Sequence, residues 1–68
     1  MLTDHTAQTQ LALNTIAVME KAIAEGADKS TIKSMQQMTV DAWRRMGLEK
    51  EIIRDFVFVT GNMMREMS

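Results

Sequence analysis

Two isolated glycines, Gly26 and Gly47, divide the chain into three stretches, and within each the apolar residues recur at helical rather than alternating spacing. Glycine takes the left-handed backbone that ends a helix without the steric cost of a side chain. Punctuation of this kind restricts the chain to short helices joined by tight turns. The expectation is an all-α fold of two to three amphipathic helices in one small domain over residues 1–68. Helices one and two should form an antiparallel helical hairpin, with the C-terminal helix packing across it or across a second copy.

The first stretch predicts a helix over Leu2–Glu25. Thr3 or Asp4 is suited to accept from the free N–H groups of its first turn, and Asp4 also matches the positive end of the helix dipole. Leu11, Val18 and Ala22 form one apolar stripe, while Ala12, Ile16, Met19 and Ile23 form another. Together they cover more than half of the helix circumference, so this helix is expected to have two or more neighbours.

Gly26 closes the first helix and Asp28 opens the next as its N-cap, with Ala27 and Ile32 spaced to close a hydrophobic staple. Helix two is predicted over Lys29–Met46. Ile32, Met35, Met38, Thr39, Ala42, Trp43 and Met46 line one face, and Lys33, Ser34, Gln37, Asp41, Arg44 and Arg45 line the other. Arg44 and Arg45 complement the negative end of the dipole. With Gly47 left-handed, Leu48 and Trp43 take the two positions that touch in a Schellman motif.

The third stretch, Glu49 to Met67, reads EKEIIRDFVFVTGNMMREM. Ile52, Ile53, Phe56, Val57, Val59, Thr60, Met63, Met64 and Met67 fall on one broad face, opposite Lys50, Glu51, Arg54, Asp55, Asn62 and Arg65. Phe58 departs from this division, standing among Glu51, Arg54 and Arg65 on the side that should face water. The segment FVFVT, residues 56–60, also has the aromatic and β-branched composition of a strand. The chain offers no second strand to pair with it, so helix is the better reading. Gly61 is then a weak point, costing about 1 kcal/mol relative to alanine.

Size narrows the means of stabilisation. A chain of 68 residues buries only about 60% of the surface its unfolded form exposes. One such core rarely supplies more than about 3 to 5 kcal/mol, and small domains usually add a disulfide, a metal or a partner. Cysteine is absent and His5 is the only imidazole, so neither a disulfide nor a tetrahedral zinc site is available. Association with another chain is left, and a homodimer is the expected assembly.

Charge and motif content then restrict function. Eight basic and nine acidic residues leave a net charge of −1, which gives no overall field to draw the protein onto nucleic acid or anionic lipid. The N-terminal residues MLTDHTAQTQ carry neither a basic nor an apolar signal region, and no stretch approaches the roughly 20 apolar residues of a membrane span. A cytoplasmic location without membrane association is expected. The start of the chain and its lack of linker composition suggest a complete small gene product of bacterial or phage origin.

No convergent set of polar groups suits acid–base, nucleophilic or metal-assisted catalysis, and the isolated glycines make no phosphate loop. The protein is therefore expected to be no enzyme and to carry no cofactor and no metal. Methionine is abundant, with eight residues, and the M-x-x-M spacings among Met35 and Met38 and among Met63, Met64 and Met67 raise copper(I) as a ligand. Because these methionines share faces with Ile32, Trp43 and Phe56, a place in the hydrophobic core is the better reading, with a core extended into an adaptable protein interface as the second.

Helix two, Gly47 and helix three also follow the outline of a helix-turn-helix, which makes a small nucleic-acid-binding transcriptional regulator the alternative function. Two residues types oppose it. Trp43 stands where the crossing helices need a small side chain, and Glu49, Glu51 and Asp55 would turn carboxylates toward phosphates. Lys29, Lys33, Arg44 and Arg45 form at most a small basic patch. The preferred function is a non-enzymatic protein-interaction module that binds a larger protein, as an adaptor, inhibitor, co-chaperone or accessory subunit. The expected interface comprises Phe58, Val40, Trp43, Met63, Met64 and Met67 as apolar contacts, with Arg54 and Arg65 orienting the partner.

Overall fold

The computed structural model describes residues 4–67. Among them are three helices and no strand: α1, His5–Ala24; α2, Lys29–Met46; and α3, Lys50–Glu66. Residues 56–60 are helical throughout, so the strand reading of FVFVT is excluded. None of the three helices is long and apolar enough to cross a membrane.

The caps follow from the residues at the junctions. Asp4 accepts from the Thr6 N–H at 3.3 Å and opens α1, while position 3 lies outside the described residues. Gly26, at φ 102°, lets the Ala27 N–H reach back to the Ala22 carbonyl and its own N–H reach Ile23, both at 3.0 Å. That pair of bonds is a Schellman motif. Gly47, at φ 82°, repeats it: Leu48 N–H donates to Trp43 and Gly47 N–H to Arg44, at 3.1 and 3.2 Å. Leu48 and Trp43 are both buried in the core, as the spacing predicts. Asp28 accepts from the Thr31 N–H at 2.8 Å.

Overall dimensions dictate how the helices lie. The three helices contain 20, 18 and 17 residues, which at the helical rise makes each about 25 to 30 Å long. The molecule measures 36 × 17 × 16 Å, so every helix must run close to the long axis. Their short connections then force a reversal at each turn. α2 returns along α1, and α3 runs parallel to α1, bringing the start of α3 beside the start of α1. α3 packs on both of the other helices, whereas α1 and α2 touch one another less. The three-helix assembly, with α3 as its common member, is thus a more accurate description than a hairpin with a helix added.

The core comprises Ala12 and Met19 from α1, Ile32, Val40 and Trp43 from α2, Leu48 from the turn, and Ile52, Ile53 and Phe56 from α3. Trp43 and Phe56 stack at a tilt of 59° with ring centroids 4.7 Å apart, within the range favoured for aromatic pairs. Polar contacts also cross the bundle. Gln36 Nε2 donates to the Thr60 hydroxyl at 2.8 Å, and that hydroxyl donates to the Phe56 carbonyl at 2.7 Å. At the other end, Gln8, itself buried, accepts from the Glu49 N–H at 2.9 Å. Glu49 makes no side-chain cap of its own, so α1 supplies part of what the start of α3 lacks.

Several placements differ from those read from periodicity. Val40, expected on the solvated side of α2, is buried at 8% exposure, because α3 packs over that flank. Met38 and Met46, expected on the core face, are exposed, Met38 at 71%. Val18, assigned to an apolar stripe, is exposed, as are Val57 and Val59. Met38, Val18, Val57 and Val59 lie at the margins of their apolar arcs, whereas Met46 is the last residue of α2.

Candidate protein interface

Helical geometry advances about 100° per residue, which places each α3 side chain around its axis. Ile52, Ile53, Phe56 and Thr60 define the buried side. Phe58 then points almost directly away from it, and its side chain is 66% exposed. Glu51 lies seven residues before Phe58 and Arg65 seven residues after, so the three form one line along the outer face. Arg54, Asp55 and Asn62 flank that line. All of these except the half-buried Asn62 are exposed.

Val57 and Val59 extend the apolar surface sideways from Phe58. Val57 turns toward α2, where it borders a shallow depression with Gln36, Val40 and Arg44. Val59 turns toward α1 and lines a groove of about 440 Å³ with Leu13, Ile16 and Ile52. Leu13 is exposed at the edge of that groove. Leu13, Val59, Phe58 and Val57 are thus all exposed on the outside of α1 and α3. A second apolar depression, of about 420 Å³, lies between α1 and α2, with Val18, Met35 and Met38 on its walls.

Among the described residues, the charges along α3 make no close ion pair with one another. Arg54 Nε approaches the Asp55 carboxylate only to 3.9 Å, and both side chains are exposed. Arg65 donates to the Asn62 side-chain oxygen. Elsewhere on the surface, His5 Nδ1 lies 3.0 Å from the Glu49 carboxylate at the junction of α1 and α3. The Thr31 backbone N–H, followed by the Thr31 hydroxyl, holds the Asp28 carboxyl below its ordinary value.

The eight residues expected at an interface separate into three groups. Phe58, Arg54 and Arg65 share the outer face of α3. Met63, Met64 and Met67 are half-buried and pack against the core at the far end of the bundle. Val40 and Trp43 are inside, Trp43 at 4% exposure beneath Leu48 and Phe56, and neither is available as a surface anchor of the single chain. Leu13, Val18, Met38, Val57 and Val59 contribute exposed apolar surface that the sequence reading assigned to the core or left unplaced. Val57 and Val59 lie about 100° and 60° around the axis from Phe56, on opposite sides of it and at the two edges of the apolar arc. Compared with family models, curated proteins and solved structures, the chain matches none.

Proposed function

We propose that this protein is a non-enzymatic interaction module that pairs with itself as a homodimer and binds a larger protein through an apolar, Met-rich helical face. The observation carrying this reading is Phe58, a large apolar side chain held out to solvent at the centre of a charged helix face, with Val57 and Val59 on its flanks. Single exposed apolar residues are ordinary on protein surfaces, whereas a contiguous patch marks a contact surface. An aromatic ring surrounded by polar groups matches the anatomy of an interface anchor and its rim. In a domain without cysteine, covering that patch also adds stability that a small core supplies poorly. An adaptor, inhibitor, co-chaperone or accessory subunit working in a cytoplasm would use such a face.

The test is Phe58→Ser, which removes apolar surface that the folded chain leaves in water. Circular dichroism and thermal unfolding of the dilute protein should remain close to those of the parent. Sedimentation should show weakened self-association, and a partner retained by the parent in affinity capture should be lost. Unchanged sedimentation together with unchanged capture would overturn the reading.

A further inference from the structure

The outer face of α3 is complementary to itself when reversed. Glu51, Phe58 and Arg65 occupy the same line at intervals of seven residues, the spacing at which one face of a helix meets another. Consider two copies related by a two-fold axis passing between their Phe58 side chains. The α3 helices then run antiparallel, and each Glu51 faces the partner's Arg65. Symmetry makes this pair twice, because a two-fold interface joins residue i to j and j to i. On one flank Asp55 comes beside the partner's Asn62, a carboxylate facing an amide. On the other, Arg54 comes beside the partner's Gly61, whose outward side is open: a Cβ added there meets nothing within 4 Å.

The parallel arrangement of the same two faces has the opposite electrostatics. It sets Glu51 against Glu51 and Arg65 against Arg65, and such like-charge contacts disfavour a register. A net charge of −1 opposes neither arrangement as a whole, so the local charges decide. We infer that the occupant of the α3 face is a second copy of this chain, packed antiparallel about Phe58 with reciprocal Glu51–Arg65 pairs. This inference rests on the reading of Phe58 as an interface residue and adds the partner and its register.

Charge exchange tests it directly. Glu51→Arg and Arg65→Glu should each weaken dimerisation in sedimentation equilibrium by roughly tenfold or more, since each turns two attractive pairs repulsive. The Glu51→Arg, Arg65→Glu double variant should recover the parental affinity. Within one chain these residues are 14 positions apart, about 21 Å along the helix, so recovery cannot arise inside a single copy. The absence of native cysteine provides a second readout. A mixture of Glu51→Cys and Arg65→Cys chains should form a mixed disulfide on oxidation, and neither alone should crosslink to itself.

Crosslinking of Glu51→Cys with itself, or a dimer that needs Phe58 yet ignores the charge exchange, would overturn the antiparallel register while leaving Phe58 as an interface residue. A chain that stays monomeric at the highest attainable concentration would overturn self-pairing altogether. Capture of a larger protein by the parent, and its loss in Phe58→Ser, would then still support the broader reading.

Discussion

Gly47 and Gly61 permit one substitution to be tested with opposite expected signs. Gly47 has φ 82° and ends α2, whereas Gly61 lies within α3. At both positions an added Cβ meets nothing within 4 Å, so steric contact with neighbours does not enter and the backbone alone decides. At Gly47, alanine must hold a left-handed conformation, which costs about 1 to 2 kcal/mol. At Gly61 the backbone is already helical, and alanine is favoured by about 0.8 to 1 kcal/mol. A change of 1 kcal/mol moves the melting temperature of a domain this size by about 4 to 8 °C. Gly47→Ala should therefore melt lower by roughly 4 to 16 °C, and Gly61→Ala higher by about 3 to 8 °C. Asparagine, which tolerates the left-handed region better, should be intermediate at position 47. Thermal unfolding followed by circular dichroism is the assay, in a Phe58→Ser background so that association does not contribute. A Gly47→Ala variant as stable as its parent would refute the Schellman turn, and a lowered melting temperature for Gly61→Ala would refute an open, regular helix at that point.

Two further outcomes are expected. Thr60→Val keeps the side-chain shape but removes the hydroxyl joining Gln36 to the Phe56 carbonyl, and should cost about 1 kcal/mol. In a double-mutant cycle with Gln36→Ala, the two changes should fall short of additive by about 0.5 kcal/mol or more, and strict additivity would show that the α2–α3 contact contributes nothing. Asp28 titrates below its ordinary value of 3.8 because Thr31 donates to the ionised carboxylate. A depressed folded-state pKa gives stability that is present above 3.8 and lost as pH falls through the lower folded value. Asp28→Asn should flatten that part of the acid limb of a stability against pH profile, and an unchanged limb would contradict the capping role.

The local elements were legible because their signals lie within a few residues of one another. Asp28, Gly26, Gly47 and the Leu48–Trp43 pair determine where helices begin and end through backbone bonds that each segment can make by itself. Periodicity likewise identified the buried sides of α2 and α3 at Ile32, Trp43, Ile53 and Phe56, and singled out Phe58 as the residue left outside. Faces are harder to read than centres. Val40, Met38, Val57 and Val59 sit near the margins of apolar arcs, where burial depends on how wide the adjacent helix is and on which flank it approaches.

What the chain determined on its own was an all-helical fold of two to three helices, the caps at their junctions and the outward direction of Phe58. Tertiary structure decided the rest. Only the parallel alignment of α1 with α3 brings Gln8 to the Glu49 N–H, and only the packing of α2 and α3 on one another joins Gln36 to the buried Thr60 and covers Val40. Both contacts join residues more than 20 positions apart, and a distance set by helix packing leaves no trace in local spacing. The same packing left Leu13, Val59, Phe58 and Val57 uncovered, because a 17-residue helix pressed against two neighbours has only one side to bury.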